Sequence, residues 1–275
     1  MSTMETSNLT KDFLQKMFSE NKRFDGRKLL DLNKDITIEY GVSNKAEGSA
    51  RVKIGKTEVI AGIKMTVGTP YPDSPDRGNL IVSGDLLPLA SPRFEMGPPG
   101  FAGIETPRLV DRVIRESGML EWEKLCIKEK EKVWNIYIDM YPLNDDGSLA
   151  DASCIAAVAA LHNATLPGLD KDGNVDYDKK TKEKIPMAKD LMPLSFTFYK
   201  LGDSIILHPV REEEEACEAK ITFGASYWNN GSKFMLNSCQ KGFETPFTTD
   251  ELNSMLDIIQ SKYDELSKKL NKSLK

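Results

Sequence analysis

Histidine is nearly absent from this chain, with only His162 and His208 among 275 residues. Nucleophilic catalysis by a Ser–His or Cys–His pair needs an imidazole as its base, so that chemistry has little to draw on. Neither HExxH nor a glycine loop of Walker or dinucleotide type occurs, which leaves zinc hydrolysis and nucleotide binding without their motifs. Cysteine is sparse too: Cys126, Cys154, Cys217 and Cys239 are widely spaced, with no CxxC pair and no nearby histidine. The pattern argues against a zinc site and predicts free, mostly buried thiols in a reducing compartment. No apolar run reaches spanning length, and the N-terminal stretch MSTMETSNLTKDFLQKMFSENKR lacks the apolar core of a signal peptide, so a cytoplasmic location without a membrane partner is expected. An excess of positive charge is missing as well. A net charge of −5 excludes a surface that coats nucleic acid indiscriminately and leaves room only for a local basic patch.

One stretch supplies such a patch. In TPRLVDRVIRESG, Thr106 to Gly118, the threonine can cap a helix, Pro107 can open its first turn and Gly118 can close it. Arg108, Arg112 and Arg115 follow the i, i+4, i+7 spacing, which at about 100° per residue places them on one stripe. Leu109, Val110, Val113 and Ile114 fall on the opposite side. The helix therefore offers an apolar face to a core and a row of cations either to an anion or, in the simpler reading, to solvent.

Around it the chain reads as strands and helices in alternation. Thr10 can cap a helix with Phe13, Leu14, Met17 and Phe18 as its apolar stripe, followed by the loop Arg23-Phe24-Asp25-Gly26-Arg27, whose arginines can clamp either the protein's own loops or a ligand. Ala50 to Ile54 and Thr57 to Met65 alternate on both sides of Gly55-Lys56, the pattern of a hairpin with a type II′ turn. Leu80 to Leu89 and Val133 to Tyr141 read as further strands, and alanine-rich Leu149 to Ala160 as a central buried helix. Residues 169–184 carry mixed charge and read as a solvated linker between a first half, 28–168, and a second half, 185–275, with 1–27 as an N-terminal helix and loop. The second half repeats strands then helix, ending in a helix with Thr248 and Glu251 at capping-box spacing and Leu252, Met255, Leu256, Ile259 and Tyr263 as its stripe. The fold class is α+β, two related strand-rich halves each packed with helices.

The acidic residues leave alternatives open. Glu212 to Glu215 can hold magnesium or act as acid and base, but four carboxylates in a turn read first as a solvated connection. Asp145, Asp146 and Asp151 near Gly147-Ser148 can also face a site. His162, at the end of the alanine-rich helix, suits the helix dipole and is read as structural.

Four segments in register, RFDGR at 23–27, GSARVKIGKTEVIAGIK, DDGSLADASCIAAVAAL and SIILHPVREEEEA, resemble the RNase PH family from about Arg23 to the C-terminal helix. Within it the chain is most similar to the larger, non-catalytic subunits of the archaeal exosome core. The resemblance implies one RNase PH-like domain of two packed halves (ribosomal protein S5 domain 2-like). It also implies alternation with a smaller catalytic paralogue in a hexameric ring, RNA-binding cap subunits on one face, and phosphorolytic degradation of RNA from its 3′ end. No cofactor and no metal ligand are expected of this chain, nor any catalytic residue, because it departs from the catalytic members. Leu149 stands where those carry a phosphate-holding arginine, and leucine can neither donate a hydrogen bond nor neutralise a dianion. His208 and Glu214 stand where they place an acidic pair, and Glu105-Thr106 where they place an arginine pair. The resemblance puts the arginine helix at the interface with the catalytic neighbour, where Arg108, Arg112 and Arg115 would contact RNA phosphates. The alternatives are an active phosphorolytic enzyme in which Glu213 or Glu214 and Asp151 stand in for the missing groups, and a purely structural scaffold.

Overall fold

A computed structural model of the protein describes residues 6–188, 191–228 and 233–273. Helix α1 (Asn8–Ser19) is capped by Ser7, whose hydroxyl accepts the Thr10 N–H at 3.2 Å, so the cap lies three residues before the expected threonine. Strands β1 (Ile36–Tyr40), β2 (Gly48–Ile54) and β3 (Thr57–Gly68) form an antiparallel meander. Ile54 pairs with Thr57, leaving Gly55-Lys56 as the two-residue loop, and Gly55 has the positive φ of +60° that the type II′ turn requires at its first position.

Strand β4 (Asn79–Gly84) is shorter than the sequence suggests. It is followed by a long loop, helix α2 (Phe101–Arg115), a short 3-10 turn at Trp122–Leu125, strand β5 (Cys126–Lys128) and strand β6 (Lys132–Asn144). The sheet order is β1-β2-β3-β6-β4, with β5 on the end of β6. β4 runs parallel to β6, and parallel neighbours need a crossover, which α2 supplies.

Helix α3 (Leu149–Asn163) is buried around its whole circumference over most of its length, as a helix must be when sheets lie on more than one side. Alanines let the backbones approach closely: a Cβ on Gly48 of β2 would lie 2.5 Å from Ala160 and Ala164. Strands β7 (Thr165–Leu169) and β8 (Val175–Lys184) then form a hairpin. The segment expected to be a solvated linker is thus largely a strand. The Tyr177 hydroxyl donates to the Met65 carbonyl at 3.1 Å, and the Lys64 ammonium lies 4.4 Å from the Tyr177 ring centre. These contacts dock the hairpin on β3, and charge alternation alone does not announce them.

Strands β9 (Leu194–Leu201) and β10 (Ser204–Leu207), helix α4 (Arg211–Ala216), strands β11 (Ala219–Trp228) and β12 (Lys233–Gly242) and helix α5 (Thr249–Ser273) complete the chain. Their antiparallel sheet has the order β10-β9-β11-β12. The α5 capping box forms as expected, with the Thr248 N–H donating to Glu251 at 2.7 Å and the Glu251 N–H to the Thr248 hydroxyl at 3.2 Å. Met255, Ile259, Tyr263, Leu266 and Leu270 are its buried stripe, while Leu256 is exposed. Asp151 ties α3 to the second sheet by accepting from the Ser195 hydroxyl at 2.8 Å, the Thr197 N–H at 3.1 Å and the Thr197 hydroxyl at 3.0 Å. All four cysteines are free. Only Cys154 is buried and Cys239 is exposed, so the expectation of mostly buried thiols does not hold.

Candidate functional site

Two polar regions flank the crossover helix. On α2, Val110, Val113 and Ile114 sit in the core, and Arg108, Arg112 and Arg115 are exposed on the other side, as the spacing predicts. The helix begins five residues before Thr106. Gly100 is its N-cap, the Ile104 N–H donates to the Gly100 carbonyl at 3.1 Å, and Pro107 lies inside. Proline marks a start only where no turn precedes it, and here Phe101 to Glu105 supply that turn.

The three arginines differ. Arg115 grips Asp111 with two hydrogen bonds, of 2.6 and 3.0 Å, donates to the Leu80 carbonyl at 3.0 Å, and lies 5.9 Å from the Trp122 ring centre. Its charge is matched internally and fastens α2 to β4. Arg108 and Arg112 make no ion pair and no side-chain hydrogen bond among the described residues. Glu105, buried near the start of α2, receives Lys220 of β11 at 2.6 Å.

The second region is the mouth of α3. Gly147 (φ +91°) and Ser148 (φ +54°) make a left-handed turn pressed so closely on the chain leading into α4 that a Cβ on Gly147 would lie 2.4 Å from the Pro209 carbonyl. The Thr57 hydroxyl holds the turn, donating to the Gly147 carbonyl at 2.7 Å and accepting the Asp146 N–H at 2.9 Å. Leu149 is buried, and the Ser148 N–H beside it donates to the Glu214 carboxylate at 2.8 Å. A helix N-terminus attracts anions, and this one is occupied by a carboxylate of the same chain.

Arg93, from the loop before α2, completes the cluster. Its guanidinium lies 2.6 Å from Asp145, 3.7 Å from Glu214 and 4.0 Å from Glu215, which in turn meets Arg211 at 3.2 Å. Burial opposes charge on Arg93, but Glu214, Asp145 and Glu215 hold its pKa above the ordinary arginine value. Burial raises Glu214 despite Arg93, and burial pushes the Asp151 carboxyl up to about 6.

Behind this cluster the acidic run is a short helix rather than a solvated turn. Glu213 is fully buried against Arg23, at 2.5 Å, and accepts the Val210 N–H at 3.1 Å. Arg23 also donates to the Leu207 and His208 carbonyls, both at 2.9 Å, and Arg27 donates to His208 at 2.8 Å. The RFDGR arginines therefore clamp the protein's own strand end. His208 adopts φ +50° and accepts the Asn33 N–H on Nδ1 at 3.3 Å. Burial, with Arg27 and Arg23 adding repulsion, pushes its pKa down to about 3, so it is a neutral residue. His162 is half-buried and its pKa is lowered by burial and then by Lys184. The cation at the α3 C-terminus is Lys184, which donates to the His162 and Asn163 carbonyls at 3.0 and 3.1 Å, and not an imidazolium.

Sequence reasoning missed Arg93, which sits in an irregular Pro/Gly-rich loop with no periodicity to signal a partner. Among the described residues no group of three or more His, Cys, Asp or Glu side chains is placed to hold a metal ion. No described helix is long and apolar enough to cross a membrane.

Two strand-rich halves sharing a buried helix define a two-domain RNase PH-like fold. The chain belongs to the 3′ exoribonuclease (RNase PH) family: the family's domain 1 matches residues 33–167 and its domain 2 matches residues 192–260. It is 40% identical over 267 residues to exosome complex component Rrp42 of Methanothermobacter thermautotrophicus, covering 97% of this chain and 96% of that protein. Among solved structures it is similar to a chain of the Archaeoglobus fulgidus exosome with RNA bound to the active site, with a TM-score of 0.85, 36% identity and coverage of 96% and 98%. A chain of an archaeal exosome core matches with a TM-score of 0.82 and 33% identity, over 96% of this chain and 97% of that one.

Proposed function

We propose that this chain is a non-catalytic subunit of an exosome-type hexameric ring in the cytoplasm, alternating with a catalytic RNase PH-like paralogue and carrying RNA-binding cap subunits on one face. The observation that carries the reading is the self-occupied mouth of α3. The N–H that would meet an inorganic phosphate donates to Glu214, the position of the phosphate-holding arginine is the buried Leu149, and Arg93 is spent on Asp145 and Glu214. Of the residues considered as substitutes, Asp151 is committed to Ser195 and Thr197, and Glu213 to Arg23. With the N–H at the mouth of α3 taken by Glu214 and with Asp151 and Glu213 engaged elsewhere, phosphorolysis falls to the neighbouring subunit.

What this chain contributes is charge on a rigid element. Arg112 and Arg108 would bind phosphates of the RNA backbone and position the strand without reading its bases, with Arg115 the lesser contributor because Asp111 already neutralises it. The test is a phosphate-dependent RNA degradation assay on the chain alone, on the ring rebuilt with the catalytic paralogue, and on a ring carrying Arg112→Glu. The expected result is silence from the chain alone, activity from the ring and weakened activity with the charge reversal. Phosphorolysis by the isolated chain would overturn the non-catalytic reading, and an unaffected Arg112→Glu ring would leave only a scaffold.

A further inference from the structure

We infer that Phe101 and Phe243 form a stacking platform for RNA bases beside the arginine stripe of α2, an inference that rests on the RNA-binding reading given above. Phe101 is the first residue of α2, and Arg108 and Arg112 follow it at i+7 and i+11. At about 100° per residue the three fall within about 40° of one another around the helix, with the arginines roughly 10 and 16 Å further along its axis. All three side chains are exposed, Phe101 to 62%. The cationic line therefore has a flat, apolar end.

Phe243 reaches the same end of the helix from the second sheet. It follows directly on Gly242, the last residue of β12, and a Cβ on that glycine would lie 3.4 Å from the carboxylate of Glu105, one helical turn along from Phe101. The Phe243 side chain is exposed, and its ring centre lies 5.1 Å from the Lys220 ammonium, which in turn binds Glu105. Its backbone adopts φ +63°, where a bulky side chain is uncommon, and Lys241 ties the turn by donating to the Phe243 and Glu244 carbonyls. An aromatic ring kept in water on a backbone that suits glycine or asparagine better points to a side chain retained for what it touches.

Charge favours a nucleobase over a protein side chain as the occupant. The carboxylate next to both residues, Glu105, is buried and neutralised by Lys220, so it does not repel a polyanion, and Arg108 and Arg112 draw one in. An apolar protein partner seated on the rings would desolvate the neighbouring arginines without pairing them. Single-stranded RNA satisfies both parts of the surface: phosphates meet the arginines, and bases stack on the rings whatever their identity. The strand is then gripped by base and backbone together, without selection of a sequence.

The experiment measures the affinity of the assembled ring for oligoadenylate and for an abasic ribose-phosphate oligomer of the same length, in phosphate-free buffer so that no strand is consumed. The variants are Phe101→Ala, Phe101→Tyr, Phe243→Asn and Arg112→Glu, with ring assembly followed by light scattering. Phe101→Ala and Phe243→Asn should each weaken oligoadenylate binding about tenfold, leave binding of the abasic oligomer within about twofold, and leave the salt dependence unchanged, because a stacked base is lost and a phosphate contact is not. Phe101→Tyr keeps the ring and should bind as the parent does. Phe243→Asn should leave the thermal stability of the isolated chain unchanged or raised, since asparagine accepts a positive φ more readily. Unchanged oligoadenylate affinity in either variant, or an equal loss for the abasic oligomer, overturns the inference. A ring that dissociates on Phe101→Ala or Phe243→Asn assigns the two residues to a subunit contact and overturns it as well. Arg112→Glu reports separately: unchanged binding of both oligomers there means that the RNA-binding reading has failed, whereas a loss there beside intact binding in the phenylalanine variants rejects only the platform.

Discussion

The outer face of α2 and the mouth of α3 are both crowded with charge, and they use it in opposite ways. At the mouth of α3 most of the buried charged groups are paired or hydrogen-bonded within the chain: Arg93 with Asp145 and Glu214, Arg23 with Glu213, Asp151 with Ser195 and Thr197. On α2 two of three arginines have no partner among the described residues, on a helix whose opposite side is locked in the core. Fixed, unneutralised cations are suited to an external polyanion, whereas a satisfied buried network is suited to holding loops together. A charged residue's chemistry here follows from whether the fold supplies its counter-ion.

The largest test of that contrast is Arg23→Ala. It leaves the Glu213 carboxylate buried with no opposite charge, and breaking a buried pair in this way costs about 3–5 kcal/mol. Urea unfolding of the isolated chain should lose that much, and a loss below about 1 kcal/mol would mean the pair is only packing.

Next comes the pH dependence of the same network. His208, ordinarily near 6.5, is held at about 3, so between those values the unfolded chain binds a proton that the folded chain does not, and stability rises with pH. Asp151, ordinarily near 3.8, is raised to about 6, so the folded chain holds the extra proton and stability falls as pH rises between those values. Glu214, also raised by burial, acts in the same direction as Asp151. From pH 4 to 6 the two trends oppose each other, and substitution separates them: His208→Asn should lose about 2 kcal/mol of stability over that interval, and Asp151→Asn should gain about as much. Denaturation series at pH 4, 5 and 6 check this, and parallel curves for both variants and the parent would refute it.

A smaller effect is expected on α2, where it is read as binding rather than stability. Arg112→Glu in the ring should weaken RNA affinity about tenfold and reduce the dependence of log affinity on log salt by about 0.7, the loss of one single-strand phosphate contact. Smallest is Arg115→Ala, which should change RNA affinity less than twofold and cost the helix about 0.5 kcal/mol, because the charge it removes is already matched by Asp111. Asp111→Ala sharpens the point: it frees Arg115, and RNA affinity should rise while thermal stability falls slightly.

Much of this architecture is legible in one dimension. The Gly55-Lys56 hairpin, the Thr248–Glu251 capping box, the buried alanine helix and the phase of Arg108, Arg112 and Arg115 against Val110, Val113 and Ile114 all follow from spacings of two to seven residues. Such spacings set turn type, cap and face directly. The departures at Leu149 and His208 are of another kind: they are what the resemblance to the RNase PH family implies and do not follow from spacing. Harder to read were features in which two local signals compete. Pro107 marks a helix start until an upstream turn is known to precede it, and the charged strand β8 looks like a linker until Tyr177 finds β3.

By itself, then, the sequence determined most of the elements and their buried faces, because each is a property of residue type and short-range periodicity. Only the tertiary structure decided which charges remain free. Arg23 and Glu213 are 190 positions apart, the Ser148 N–H and Glu214 are 66 apart, and Arg93 meets its carboxylates from a loop without periodicity. Coulomb attraction depends on distance in space, and the fold alone brings those groups within a few ångströms while leaving Arg108 and Arg112 turned outward.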